Sequence, residues 1–142
     1  MSWWEIIWRL GIAAIIGGTI GIDRELHHKG AGFRTIAIVC IGSAIAALAS
    51  VTASFDAAAP SRVLQGILAG IGFLGTGVII HHARVRSVEG LTTAASVWTA
   101  AAIGAVCGLG LWKVVIVSSA LMLILLIAAG SVERALRHQK KL

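Results

Sequence analysis

The chain has 142 residues, of which 58% are hydrophobic and only 13% charged, with a mean hydropathy of +0.93. Ordinary soluble domains carry roughly 45–50% apolar residues, so this composition excludes the usual soluble globular class and points to an integral membrane protein. The formal net charge of +6 does not indicate nucleic acid, because the basic residues are divided among short loops instead of forming one stripe.

Five apolar stretches follow in chain order, at about residues 6–22, 35–55, 63–80, 91–112 and 114–130, each near the ~17–25 residues of a spanning helix. They predict an all-α, polytopic membrane helix bundle, with a five-helix transmembrane domain over residues 1–130 and a basic cytoplasmic tail over 131–142. The chain begins with Glu5 ahead of any base and lacks the basic region of a cleavable signal peptide, so the first stretch reads as a retained helix. Pro60 is placed in the loop 56–62, where it cannot break a span. The turn at 108–113 is short enough to make the fourth and fifth helices a tight antiparallel pair.

Charge placement predicts orientation. With the N-terminus outside, nine of the twelve Lys and Arg residues face inward (Arg24, Lys29, Arg34, Arg84, Arg86, Arg134, Arg137, Lys140 and Lys141). Only Arg9, Arg62 and Lys113 face outward. The positive-inside rule then gives an N-out, C-in topology, with Trp3, Trp4, Trp8 and Trp112 at the outer interface that indole rings prefer. Counting residues from the inner end of each span separates Cys40 from Cys107 by roughly 15 Å in depth at ~1.5 Å per residue, beyond the ~7 Å reach of a disulfide. Two free thiols are expected.

Against this apolar background, residues 21–35 hold Asp23, Arg24, Glu25, His27, His28, Lys29 and Arg34. Ionisable groups at a membrane boundary are costly unless solvated or paired, so this block is the leading candidate site. Asp23, Arg24 and Glu25 leave the first helix where Arg34 and Thr35 enter the second. The structural reading is ion pairing of the carboxylates with Arg34, whose planar fork suits the task. The functional alternative is that Asp23 and Glu25 offer oxygens to a hard cation such as Mg2+, which often binds through one or two carboxylates plus waters. Glu89, in the loop with Arg84 and Arg86, either joins this cluster or complements the dipole of the fourth helix.

Small and polar residues inside the spans give further candidates. Gly17/Gly21, Gly66/Gly70 and Gly104/Gly108 are pairs four apart, suited to close helix packing within the chain or, alternatively, to a homodimer face. Gly72, Gly75 and Gly77 make the third helix dense enough in glycine to bend or unwind, which would free carbonyls for a cation if they line a cavity. Thr92, Ser96 and Thr99 share one face of the fourth helix. They either line a polar path or bond the carbonyl four residues back. His27-His28 and His81-His82 fall in predicted inner loops and could converge on zinc or sense pH; neighbours on a helix diverge by about 100°, so solvated histidines are the simpler reading. Catalytic motifs are not found: there is no Gly-x-Ser-x-Gly, no His-Glu-x-x-His and no phosphate loop ending in Lys-Ser/Thr. A non-enzymatic protein without an organic cofactor is expected.

Four ordered motifs, Gly21-Ile22-Asp23-Arg24-Glu25, Ala31-Gly32-Phe33-Arg34-Thr35, the stretch 70–77 and the stretch 90–104, together resemble the MgtC/SapB family of bacterial inner-membrane proteins over about residues 10–130. The resemblance implies a multi-pass inner-membrane domain linked to growth in low magnesium, acid tolerance and intracellular survival during virulence, with regulation of the proton-driven ATP synthase in some members. It also implies that Asp23, Arg24, Glu25, Arg34 and Thr35 carry the function, supported by Gly72, Gly75, Thr92 and Thr93. The chain departs from the family pattern with Asp23 in place of glutamate, Glu89 in place of arginine, and no cytosolic C-terminal domain.

Two functions are therefore expected to compete. One is a non-enzymatic regulator that contacts membrane proteins, the ATP synthase among them, under magnesium or acid stress. The other is a magnesium or proton pathway drawing on the inner-face acids and the hydroxyl stripe. Membrane lipid and a second copy of the chain are the remaining expected partners, and nucleic acid is not one.

Overall fold

The computed structural model describes residues 1–53, 56–82 and 90–139, excluding the side chains of residues 80–82 and 129–139. Five helices follow in order: α1 Trp3–Leu26, α2 Phe33–Thr52, α3 Ala59–His82, α4 Leu91–Leu109 and α5 Trp112–Gln139. No strand is present among the described residues, as expected of a chain whose apolar runs are too long for strands.

Local chemistry sets the helix ends. Ser2 caps α1 by accepting the Glu5 N–H. At the other end of α1 His28 adopts a left-handed φ of 51°, and the turn is closed by the Lys29 N–H on the Arg24 carbonyl at 3.0 Å. α4 stops at Gly110, whose φ of 75° lets its N–H return to Cys107 while Leu111 returns to Val106; glycine takes this left-handed position without the Cβ penalty. Trp112 consequently opens α5 and does not end α4. Pro60 lies inside the first turn of α3, not in the preceding loop, where its missing N–H breaks no helical bond. The pair His81-His82 closes α3, so its backbone is helical where a loop was expected; its side chains lie outside the described residues.

Glycine dictates how the helices stack. A Cβ on Gly17 would sit 2.7 Å from the Cys40 side chain, and one on Gly21 2.6 Å from Phe33 Cα. Cβ atoms at Gly104 and Gly108 would run into the carbonyls of Cys40 and Ala44, also on α2. α2 thus packs closely on both α1 and α4, which also touch each other, while α3 and α5 pack mainly on α4. The core runs along this seam through Ile20, Ile36, Cys40, Ala44, Ala100, Ile103 and Cys107. The third small pair behaves differently: Gly66 and Gly70 face open space.

The α2–α4 register also corrects the expected cysteine separation. Gly104 is level with Cys40, so Cys107 lies one turn further, ~4.5 Å along the axis at 1.5 Å per residue. Both thiols are buried and unbonded.

The exterior is apolar, with Ile15, Ile38, Phe73, Ile116 and Leu125 all exposed, which suits lipid and not water. Four helices are long and apolar enough to cross a bilayer: Trp3–Leu26, Phe33–Thr52, Ala59–Ile79 and Leu91–Leu109. The apolar part of α5, Trp112–Ala128, is shorter.

Candidate functional site: a buried arginine where three helices meet

Arg24 is 2% exposed and is the one charged side chain buried among the described residues. It lies in the last turn of α1, where a cation complements the helix dipole. Its guanidinium crosses to α4, donating from Nη1 to Ser96 Oγ at 3.1 Å and from Nη2 to Thr93 Oγ1. The Ser96 hydroxyl in turn donates a hydrogen bond to the Thr92 carbonyl at 2.7 Å. Both partners are neutral, and Nε is buried with no hydrogen-bond partner. A buried charge ordinarily meets an opposite charge, so this arginine is an exception, buried between helices where α1 ends and α4 begins.

Glu25, the next residue, turns to α2. Its Oε2 accepts the Phe33 N–H at 3.0 Å, supplying the cap that Gly32 cannot give from its own side chain. A Cβ on Gly32 would come within 2.9 Å of that oxygen. Asp23 faces elsewhere: its Oδ1 is 3.6 Å from His27 Nδ1, and the same nitrogen is 2.7 Å from the Asp23 carbonyl oxygen. Three consecutive residues at the end of α1 therefore reach three different neighbours.

This arrangement differs from ion pairing with Arg34. Arg34 and Thr35 are exposed, and neither carboxylate pairs with Arg34 among the described residues. The physical reason is direction. Glu25 is used on backbone at the α2 N-terminus, one residue before Arg34, and Asp23 projects about 200° away from Glu25 around the helix. The same divergence separates the two carboxylates as a cation pair. Among the described residues no group of three or more His, Cys, Asp or Glu side chains is placed to share a metal ion. Glu89, Arg84 and Arg86 lie outside the described residues.

The hydroxyl face of α4 is also rotated from expectation. Thr93 and Ser96 are buried toward Arg24, while Thr92 is exposed and Thr99 half-buried. Thr99 bonds the Ala95 carbonyl at 2.8 Å. These hydroxyls thus serve the arginine and their own helix. Gly72, Gly75 and Gly77 lie in a continuous α3, so no carbonyls are released by unwinding. A Cβ added at Gly75 would meet the Ala94 side chain at 3.6 Å, an ordinary contact, and Gly72 and Gly77 face open space.

A second ionic feature, at the opposite end of the bundle, was not singled out from sequence. Arg9 donates to Glu5 at 2.5 Å and to the Gly108 carbonyl at 2.8 Å, tying α1 to the last turn of α4. The i,i+4 spacing of Glu5 and Arg9 was a readable signal for half of it; the carbonyl 99 residues away was not.

A bundle whose described elements are all helical, with an apolar exterior, four helices long enough to cross a bilayer and one buried arginine, is that of a helical membrane protein. The MgtC family profile matches residues 10–135, and the chain belongs to that family. Relatives include the uncharacterised protein slr0014 of Synechocystis, 38% identical over 98% of this chain and 58% of its own length. SrpB of Synechococcus elongatus is 41% identical over 79% of this chain and 68% of its own length. MgtC of Salmonella typhimurium is 42% identical over 80% of this chain and 47% of its own length. YhiD of Escherichia coli, named as a candidate magnesium transporter, is 39% identical over 86% of this chain and 59% of its own length. The chain therefore spans about half to two thirds of these relatives. No solved structure matches it significantly.

Proposed function

We propose that this chain is a magnesium-related, non-enzymatic regulator of the bacterial inner membrane, acting by contact with membrane proteins under magnesium limitation or acid stress. In this reading all five helices cross the bilayer, N-out and C-in, so that Arg24, Glu25, Arg34 and Thr35 sit at the cytoplasmic boundary. Family membership and the names of MgtC and YhiD support the link to magnesium.

The observation that carries the regulatory role is Arg24. A fixed guanidinium fills the junction of α1 and α4 and occupies the two buried hydroxyls that a cation would need. Its charge opposes entry of Mg2+ or a proton at that point. The same group locks α1 to α4 while Glu25 holds α1 to α2, so the site is a rigid three-helix clasp. Exposed Arg34 and Thr35 beside it offer a partner a polar edge.

Crosslinking and pulldown from native membranes tests this reading. The expected result is specific recovery of a membrane protein under magnesium or acid stress, with the ATP synthase as the named candidate, and loss of that recovery on Asp23→Ala or Arg34→Ala. Recovery unchanged by stress and by both substitutions would overturn it. YhiD's name favours a second reading, cation transport. Purified protein in liposomes would then move Mg2+ or protons above empty vesicles, with flux reduced by Glu25→Gln.

A further inference from the structure

The crevice at the Arg9 end is separate from the Arg24 site. About 820 Å³ of space opens between the first half of α1 and the last half of α2, within the ~300–1,000 Å³ of small-molecule sites. Leu10, Ile45, Leu48 and Ala49 line it, and Glu5 and Arg9 stand with them. The α2 residues 45–52 give it a length of ~10 Å at 1.5 Å per residue. The wall sets the apolar side chains of Leu10, Ile45 and Leu48 beside the polar groups of Glu5, Arg9 and Thr52, so in a bilayer the crevice suits an amphipathic occupant.

The polar groups specify what that group is attached to. Arg9 has five N–H donors, of which Glu5 and the Gly108 carbonyl engage two; its Nε is buried without a partner, so the donors left for a ligand are the remaining N–H groups of Nη1 and Nη2. Glu5 commits one oxygen to Arg9 and its side chain remains 44% exposed. The mouth is thus a zwitterion with spare capacity of both signs. Its depth follows from Trp3, Trp4 and Trp8, exposed by 81%, 79% and 64% on the same turns of α1; indole rings settle at the headgroup level. An apolar cleft below a paired cation and anion at headgroup depth complements an amphipath whose head is itself a zwitterion.

We propose that this crevice binds one amine-bearing zwitterionic phospholipid of the phosphatidylethanolamine class. Its phosphate meets Arg9, its ammonium meets Glu5, and the upper part of one acyl chain lies along Leu10, Ile45, Leu48 and Ala49. A phosphatidylcholine head lacks the N–H donors for Glu5, and a phosphatidylglycerol head lacks the cation.

The test is native mass spectrometry of the purified full chain, delipidated and then offered the three lipids in equal amounts. Retention of one phosphatidylethanolamine is expected at about tenfold over phosphatidylcholine, equivalent to ~1.4 kcal/mol. Glu5→Gln leaves the mouth cationic and should shift retention toward phosphatidylglycerol. Ala49→Trp fills the crevice with both ions in place and should lose all three lipids while the helical circular dichroism is unchanged. Equal retention of the three lipids by the wild type, retention undiminished in Ala49→Trp, or a lipid-free dimer as the sole species would overturn the proposal.

Discussion

The carboxylate of Glu25 accepts the backbone N–H of Phe33 at 3.0 Å, so the last turn of α1 caps the first turn of α2. Helix α2 has no side-chain cap of its own, and a carboxylate at a helix N-terminus adds the dipole interaction to the hydrogen bond. Glu25→Ala should therefore destabilise the bundle by about 0.5–2 kcal/mol, the usual range for losing a cap. Glu25→Gln keeps an acceptor oxygen and should fall between the two. Thermal unfolding in detergent checks the order; an alanine variant as stable as the wild type would remove the cap from the account.

Arg24 and Thr93 form a second relationship that mutation can isolate. Thr93→Val leaves a buried guanidinium with one partner fewer, and hydrogen bonds to charged groups contribute about 1.5–3 kcal/mol each. Arg24→Met removes the buried charge and fills similar space, so no guanidinium is left to lose a partner. In the Arg24→Met background, Thr93→Val should then cost little. A double-mutant cycle in unfolding free energy measures the coupling; additive effects of the two substitutions would show that the bond contributes nothing.

Four helices were readable from apolar runs to within about four residues at each end, since length and hydropathy define them; the fifth was placed at 114–130, whereas α5 continues to Gln139 through residues too polar to register as an apolar run. The rotation of the helices was not readable. In a helix that is apolar nearly all round, sequence period cannot say which face turns inward, so Thr92, Ser96 and Thr99 looked like a stripe although Thr93 and Ser96 are the buried pair. Axial register failed for a related reason: equal counting from the ends of α2 and α4 ignores that Gly104 slides down to the level of Cys40. The charged block at 23–25 stood out because charge is scarce. Its partners did not, because they are two hydroxyls 69 and 72 residues away and a backbone amide, none of which carries charge.

At the opposite end, Asp56 bonds the Arg62 guanidinium and accepts the Ala58 N–H at 2.9 Å. Arg62 first, and then the Ala58 N–H, hold its carboxyl below the ordinary carboxylate range. A depressed pKa means that the unfolded chain binds the proton more readily. The contribution to stability is therefore present above the unfolded value near ~4 and is lost as pH falls through the lower folded value. Asp56→Asn should flatten this part of the acid-unfolding profile and leave stability at pH 7 changed only slightly, as for an exposed pair. A variant profile parallel to that of the wild type below pH 4 would contradict it.

Glycine substitutions separate the packing seam from the open face. A Cβ at Gly104 or Gly108 would meet the α2 carbonyls of Cys40 and Ala44, which are backbone and cannot rotate aside. Gly104→Ala and Gly108→Ala must push α4 from α2, and overpacking of this kind costs about 1–3 kcal/mol. At Gly66 and Gly70 the added methyl enters open space, so alanine there should stabilise by the roughly 0.8–1 kcal/mol difference in helix propensity. The four variants, compared by thermal unfolding in the same detergent, should split into two destabilised and two stabilised proteins. Loss of stability at Gly66 and Gly70 comparable to that at Gly104 would mean that the α3 face is covered in the solubilised protein, and dimer formation measured on the same samples would identify a second copy as the cover.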